Sequence, residues 1–96
     1  MGKIRQIVLD VLKPHSPSII DLTCILSDIE GIDGVNSSVI EMDKEVETVK
    51  LTIVGDDINH LKVESVIETM GGSIHSVDKV SAGLKLVKEE SIHQDR

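Results

Sequence analysis

Apolar and polar residues alternate along four segments of the chain, and two further segments carry apolar residues at the wider spacing of a helix. Alternation places every second side chain on one face of a β-strand, whereas the wider spacing marks one face of an α-helix. The pattern predicts strands over residues 3–13, 35–43, 46–54 and 73–80, and helices over residues 17–30 and 58–70. The order β-α-β-β-α-β is typical of ferredoxin-like α+β domains. We therefore expect a four-stranded antiparallel sheet of order 4-1-3-2 with both helices on one face.

The phase of each segment predicts which residues form the core. The expected core consists of Ile7, Leu9, Val11, Val49, Leu51 and Ile53 from the strands, and Ile19, Leu22, Leu26, Ile29, Val63, Val66, Ile67 and Met70 from the helices. Cys24 lies near the first helical stripe, so we expect it to be buried. The phase of the second strand is ambiguous because Val39 and Ile40 are adjacent. We place Ile40 and Met42 inward and Val39 outward.

Local signals predict where the elements begin. Ser16 precedes Pro17, and a serine before a first-turn proline is a favourable start for a helix. Asp56 or Asp57 can cap the second helix in the same way. Arg5 is in phase with the core positions of the first strand, so we expect it to lie at the frayed start of that strand.

The composition favours self-association. The chain has 96 residues, 40% of them hydrophobic, and contains no Phe, Trp or Tyr. Aliphatic side chains each bury less area than aromatic rings, and a small domain gains stability by burying surface against its own copies. We expect one domain over residues 1–84, a C-terminal extension over residues 85–96, and a homo-oligomer.

Charge and missing motifs exclude several functions. Asp and Glu number 17 against 10 Lys and Arg, which gives a formal net charge of −7 that disfavours nucleic acid and favours divalent cations. The single cysteine excludes an internal disulfide and a CxxC metal pair. There is no signal-peptide pattern and no apolar run of membrane-spanning length, so we expect a cytoplasmic protein without membrane contact. Nucleophile-elbow and phosphate-loop motifs are absent too, so we expect no enzymatic activity.

The uncovered face of the predicted sheet gathers acidic residues in two places. The candidate metal ligands are Glu41, Asp43 and Glu47 around the hairpin of the second and third strands, and Asp10, His75 and Asp78 across the first and fourth strands. Close carboxylates repel one another, and a bound hard cation, with calcium as the candidate, removes that cost. A solvated acidic face is the alternative interpretation of either group. The four histidines lack the HxxxH spacing of a zinc site within one chain.

Families that share this element order are distinguished by their residues. An RNA-recognition domain stacks bases on strand aromatics, which this chain lacks. The first loop, KPHSPS, has neither the arginine of an acylphosphatase-like enzyme nor the CxxC of a heavy-metal chaperone. An ACT-like regulatory module, which binds a small ligand such as an amino acid between subunits, remains as an alternative. Its site would involve His15, Ser16 and Gly34.

Three stretches, LDVLKPHSPS (residues 9–18), GVNSSVIEMD (34–43) and GGSIHSVDKVSAG (71–83), closely resemble an archaeal family of small proteins of unknown function. The similarity spans residues 3–84. It implies a ferredoxin-like fold, assembly into closed rings of six or more subunits, and metal ions at or near the subunit contacts, but no activity and no catalytic residues. Lys79 stands where the family pattern has an acidic residue, and Ser37 and Ser38 stand where it has apolar ones. The first difference weakens a metal role near Asp78.

The expected function is therefore that of a non-enzymatic homo-oligomer, a hexamer or a larger ring, which binds divalent cations through carboxylates at its subunit contacts. The sequence specifies neither the physiological role nor the subunit number.

Overall fold

The fold is that of a single antiparallel sheet with two helices, and the computed structural model describes residues 2–85 and residue 87. Within them the elements are β1 (Ile4–Pro14), α1 (Ile19–Ser27), β2 (Ile32–Met42), β3 (Val46–Gly55), α2 (His60–Thr69) and β4 (Ser73–Ala82). The strands lie in the order β2-β3-β1-β4, which is the predicted order counted from the other edge. The ferredoxin-like fold is confirmed. The predicted C-terminal extension falls almost entirely outside the described residues.

One hydrophobic core lies between the helices and the face of the sheet that they pack on, which we call the covered face; the opposite face is the open face. The buried core residues are Ile7, Leu9, Val11, Leu22, Leu26, Ile32, Val49, Leu51, Ile53, Ile58, Val63 and Ile67. Every core position predicted for β1 and β3 is among them, and the remaining predicted helix positions pack against this core half-buried. Ile32 and Ile58 also join it, although neither was predicted as a core position.

The first helix begins later than predicted. Its N-cap is Ser18 rather than Ser16, because the Ser18 backbone is extended and its hydroxyl accepts a hydrogen bond from the backbone N–H of Asp21 at 3.2 Å. The helix also ends early, at Ser27.

The second helix is capped by Asn59, and the predicted aspartate caps are wrong. The Asn59 side chain accepts a hydrogen bond from the backbone N–H of Lys62 at 3.1 Å. The helix cannot start sooner because Ile58 is buried and its N–H donates to the carbonyl of Ile4 at 2.9 Å. This bond holds the chain beside β1 as far as residue 58. Of the described helices, none has the length and apolar run needed to cross a membrane.

The phase predicted for β2 is wrong at Val39 and Ile40, whereas Met42 pairs with the buried Glu47 and so has the predicted phase. Val39 pairs with the buried Val49 and therefore lies on the covered face, not outward. A register shift between Val39 and Glu41 leaves Ile40 in a β-bulge. Ile40 and Met42 are 52% and 63% exposed, so neither reaches the core.

The exposure of these side chains follows from the position of β2 at the sheet edge. The groove between α1 and β2 is lined on the strand side by residues 35–37, and the hydroxyl groups of Thr23 and Ser37 form a hydrogen bond of 2.6 Å there. The helix therefore covers the first half of β2, and the second half extends beyond it. A prediction from periodicity assumes that one face of the strand is covered along its whole length. In β2 the helix covers only the first half.

Two further expectations are corrected. Arg5 is not at a frayed end, since its guanidinium donates to the carbonyls of Gly55, Gly83 and Leu84 at 3.2, 3.2 and 2.9 Å and so ties the start of β1 to the ends of β3 and β4. Cys24 is exposed rather than buried. It lies two residues from the buried Leu22, which at about 100° per residue puts it on the opposite side of the helix.

Substitution of Val49 tests the assigned face of β3. We expect Val49→Asp to prevent folding, because Val49 is 0% exposed and an aspartate there would bury an unpaired charge. Its cross-strand neighbour Val39 is 41% exposed, so Val39→Asp is the matched control and should stay folded. Circular dichroism and amide NMR spectra check both variants. A soluble, native-like Val49→Asp protein would show that the phase of β3 is misassigned.

Candidate functional site

A buried charge pair lies where β1 ends. Lys13 and Glu47 are direct cross-strand partners and are only 2% and 5% exposed. The Lys13 Nζ lies 3.2 Å from Glu47 Oε2 and donates a second hydrogen bond to the carbonyl of Pro14 at 2.6 Å. Both side chains point to the covered face because they continue the alternation of Val11 and Val49. Burial of two charges is tolerated here because each has a partner of opposite sign or a backbone acceptor.

His15 joins this pair from the loop after β1, and we call Lys13, His15 and Glu47 the end cluster. The Nδ1 atom of His15 lies 2.9 Å from Glu47 Oε1. The other ring nitrogen, Nε2, lies 2.9 Å and 3.0 Å from the carbonyl oxygens of Asp43 and Lys44 in the β2–β3 turn. One imidazole thus bridges β3 and the turn that precedes it.

The end cluster shifts the titration of two of its members. The hydrogen bond with Glu47 raises the pKa of His15 above its ordinary value of 6.5, and the two turn carbonyls act in the same direction. The hydrogen bond from His15, followed by that from Lys13, lowers the pKa of the Glu47 carboxyl below 4.5. The cluster therefore favours an ionised carboxylate between two cations.

A second cluster lies on the open face and consists of Asp10, Lys50, Ser76 and Asp78; we call it the open-face cluster. Lys50 is the cross-strand partner of Asp10, and its Nζ lies 3.6 Å from Asp10 Oδ1 and 3.2 Å from Asp78 Oδ2. The Ser76 hydroxyl donates to Asp78 Oδ1 at 2.8 Å. The Ser76 and Lys50 hydrogen bonds lower the pKa of Asp78, and Asp78 followed by Asp10 raises the pKa of Lys50.

The open-face cluster brings together two of the predicted metal ligands, Asp10 and Asp78, but a lysine ammonium already lies between them. Asp10 Oδ1 is buried without a hydrogen-bond partner and has only the ion pair with Lys50. His75 is on the same strand but exposed, and the register of β4 shifts between the partners of Asp10 and Val11, which leaves His75 unpaired. Across the described residues, no three His, Cys, Asp or Glu side chains are grouped as metal ligands.

The three predicted ligands of the hairpin are separated from one another. Glu47 lies buried on the covered face, so its predicted outward position is wrong; it continues the alternation of Val49 and is held by Lys13. Asp43 is exposed, but its Oδ1 accepts the backbone N–H of Lys44 at 2.7 Å and so turns back on its own loop. Glu41 is exposed near the end of β2. We therefore remove Glu47 and Asp43 from the candidate ligands.

The alternative ligand site is not formed within one chain. His15 and Ser16 follow Pro14, which pairs with Val46, whereas Gly34 pairs with Val54, the partner of Gln6. Positions 6 and 14 of β1 are separated by about 26 Å at the usual rise of a strand. A small ligand bound to one chain cannot contact both ends.

Sequence reasoning missed the two lysines that organise the clusters. Lys50 lies between the inward-facing Val49 and Leu51, so it faces the open side, and aligning β3 with β1 would have placed it opposite Asp10. Lys13 is in phase with Val11, and a lysine at an inward position signals a buried partner. The predicted strand order and phase were therefore sufficient to place Lys50 beside Asp10 and to indicate a buried partner for Lys13.

Comparison with known proteins identifies a family and a relative that this chain resembles. A family model described as uncharacterised ArCR matches residues 5–96. An uncharacterised protein of Methanocaldococcus jannaschii is 49% identical over 96 residues, and the alignment covers 100% of this chain and 99% of that relative. Neither description names a ligand, a reaction or a partner.

Removal of the Glu47 charge should lower the stability of the fold. In Glu47→Gln the buried Lys13 loses its counter-ion, so we expect the free energy of unfolding to fall by about 3 kcal/mol. Glu45→Gln, on the same hairpin but exposed, is the matched control and should change it by less than about 0.5 kcal/mol. Urea unfolding at a fixed protein concentration measures both. Equal losses in the two variants would contradict the structural role of the end cluster.

The end cluster should also give stability a defined pH dependence. Because the pKa of His15 is raised on folding, its contribution is complete below pH 6.5 and is lost as the pH rises through the folded-state value. Because the pKa of Glu47 is lowered, its contribution is complete above pH 4.5 and is lost as the pH falls through the folded-state value. The difference in unfolding free energy between the native protein and His15→Asn should therefore be largest between pH 4.5 and 6.5 and should shrink at higher pH. A difference independent of pH would contradict this assignment.

Proposed function

Since the chain belongs to the DUF211 family of uncharacterised ArCR proteins, whose description names no activity, we propose a function from the structure of its sheet. The protein is a non-enzymatic cytoplasmic protein that assembles with its own copies into a closed ring. The ring is a hexamer or larger. Divalent cations, with calcium as the first candidate, bind at the contacts between subunits. The observation that carries the proposal is that both edges of the sheet are long strands.

The edge strands support assembly because each has a row of backbone groups without a partner strand in the described chain. β2 has 11 residues and β4 has 10. Edges of this length readily accept another strand unless they are blocked. Both also expose apolar side chains: Val39, Ile40 and Met42 on β2, and Val77 and Val80 on β4. Pairing with another copy would bury them.

The direction of the strands favours a head-to-tail contact. All neighbouring strands are antiparallel, so β2 and β4 at the two edges run in opposite directions. A copy displaced sideways therefore presents its β4 antiparallel to β2, and the sheet continues without a change of pattern. Such a contact uses two different surfaces, and it ends in a ring when the rotation between copies closes.

The proposed edge contact would bring together side chains from two copies that can bind a cation. Glu41, Thr48, Leu12 and Ser73 form one row across the sheet through successive cross-strand pairs. Glu41 at one edge would then lie near the start of the neighbouring copy's β4, which carries His75 two residues after Ser73. Subunits with a net charge of −7 repel one another, and a divalent cation between them lowers that cost. Asp10 and Asp78 are poorer ligands because Lys50 already neutralises them.

The ACT-like alternative would need residues from two subunits, because its predicted residues lie at opposite ends of the sheet in one chain.

Light scattering coupled to gel filtration tests the proposal. We expect the native protein to elute as an oligomer, and Val39→Lys and Val77→Lys to shift it towards the monomer, because a charged side chain on an edge strand opposes pairing. Leu61→Lys is the matched control: Leu61 is 65% exposed but lies on the helix α2 and not on an edge strand. A monomeric native protein, or an oligomer unaffected by both edge variants, would refute the edge contact.

Light scattering after treatment with a chelator tests cation binding independently of assembly. Calcium and zinc are added back in turn to chelator-treated protein, and binding is followed by calorimetry. We expect Glu41→Gln to weaken binding, whereas Glu68→Gln, on the exposed side of α2, should not. An oligomer that binds neither ion would refute the metal part and leave the assembly intact.

A further inference from the structure

The imidazole of His15 is surrounded by hydrogen-bond acceptors at both nitrogens. Nδ1 lies 2.9 Å from a carboxylate oxygen of Glu47, and Nε2 lies 2.9 and 3.0 Å from two backbone carbonyl oxygens. Carbonyl oxygens only accept hydrogen bonds, so Nε2 must carry a proton to bind them. The Glu47 carboxylate is paired with the buried Lys13, so it is ionised and also only accepts.

Neither neutral tautomer of the ring satisfies these contacts. A ring protonated at Nδ1 alone would leave the Nε2 lone pair facing the carbonyls of Asp43 and Lys44. A ring protonated at Nε2 alone would leave the Nδ1 lone pair facing Glu47. The doubly protonated imidazolium donates at both atoms, and it is the only form that fits all three oxygens.

The groups that face the ring come from β1, β3 and the β2–β3 turn. β1 supplies the Lys13 ammonium and β3 the Glu47 carboxylate. The β2–β3 turn carries Asp43, Lys44 and Glu45; the Asp43 carboxylate accepts the Lys44 N–H, and only backbone carbonyls of the turn bind the ring. Asp21, in the first turn of α1, makes no described hydrogen bond or ion pair with the ring. The turn after α2 meets β1 through Gly71 and Pro14, which do not titrate.

The β2–β3 turn has few other supports. Its backbone is closed by one hydrogen bond of 2.8 Å from the Asp43 N–H to the Val46 carbonyl, and its side chains are exposed. The described side-chain hydrogen bonds between the turn residues and the end of β1 are the two that His15 makes. Loss of the Nε2–H bonds would therefore loosen residues 43–45, while the pairing of Val46 with Pro14 remains.

We propose that His15 is a pH-operated latch: its imidazolium fastens the β2–β3 turn to the end of β1 through Glu47 and the two turn carbonyls, and loss of the Nε2 proton, with Nδ1–H kept on the Glu47 carboxylate, releases the turn. The latch acts within a single chain and does not depend on assembly or on bound cations. Because the turn continues from β2, release would loosen the last residues of that edge strand.

NMR of the chelator-treated protein with ¹⁵N-labelled histidine tests the latch. The chemical shifts of the two ring nitrogens report directly whether each carries a proton. We expect both His15 nitrogens to remain protonated at pH 6.5, with a titration midpoint above that value because the pKa of His15 is raised by its hydrogen bond with Glu47. The backbone amide signals of residues 43–46 should shift with the same midpoint as the His15 ring.

Two variants complete the experiment. In His15→Gln the pH-dependent step of the turn amides should be lost, whereas in His60→Gln, an exposed position at the start of α2, it should be unchanged. A His15 ring that is neutral at pH 6.5, or turn amides that titrate with a different midpoint, would overturn the proposal. The ring measurement needs only the native protein, so it decides the protonation state even if His15→Gln does not fold.

Discussion

The register between β1 and β3 is the constraint on which the rest of this structure depends. It sets Leu9 opposite Leu51 and Val11 opposite Val49 on the covered face, and it sets Asp10 opposite Lys50 on the open face. The same register brings Lys13 beside Glu47. A slip of one residue would exchange the two faces, expose the core and bury Asp10 and Lys50 among aliphatic side chains. Charge pairing and apolar burial therefore select the same alignment of the two central strands.

The charged clusters have different physical roles, although each places a cation beside carboxylates. In the end cluster Lys13 and Glu47 are almost fully buried, so loss of either partner leaves an uncompensated charge away from water. In the open-face cluster Lys50 and Asp78 remain in contact with solvent, and screening reduces the strength of their ion pair. The end cluster thus specifies where the β2–β3 turn lies, whereas the open-face cluster mainly neutralises acidic side chains that would otherwise repel. Among the described residues, this neutralisation also explains why Asp10 and Asp78 do not form part of a cluster of metal ligands.

The aliphatic core and the two edge strands are linked by the small size of the domain. Twelve buried hydrophobic residues, none of them aromatic, fill the space under the helices. The helices do not reach the end of β2, and Val77 and Val80 on β4 stay exposed although their partners Leu9 and Ile7 are buried. Apolar surface therefore continues past the rim of the core towards both edges. Contact with another copy is the simplest way for such a domain to remove this surface from water.

The sequence by itself determined the order of the elements, the strand order of the sheet and the core positions of β1, β3 and both helices, because these follow from local periodicity that is repeated over many residues. It did not determine the phase of β2 at Val39, the exposure of Met42, the burial of Glu47 or the first residue of either helix. Each of these depends on what lies next to the segment in space: α1 stops short of Met42, Lys13 compensates the charge of Glu47, and Ile58 is held by the Ile4 carbonyl. The bridge made by His15 was also beyond the sequence, because its two sides lie 28 and 32 residues away along the chain. Only the folded sheet brings one imidazole within hydrogen-bonding distance of both.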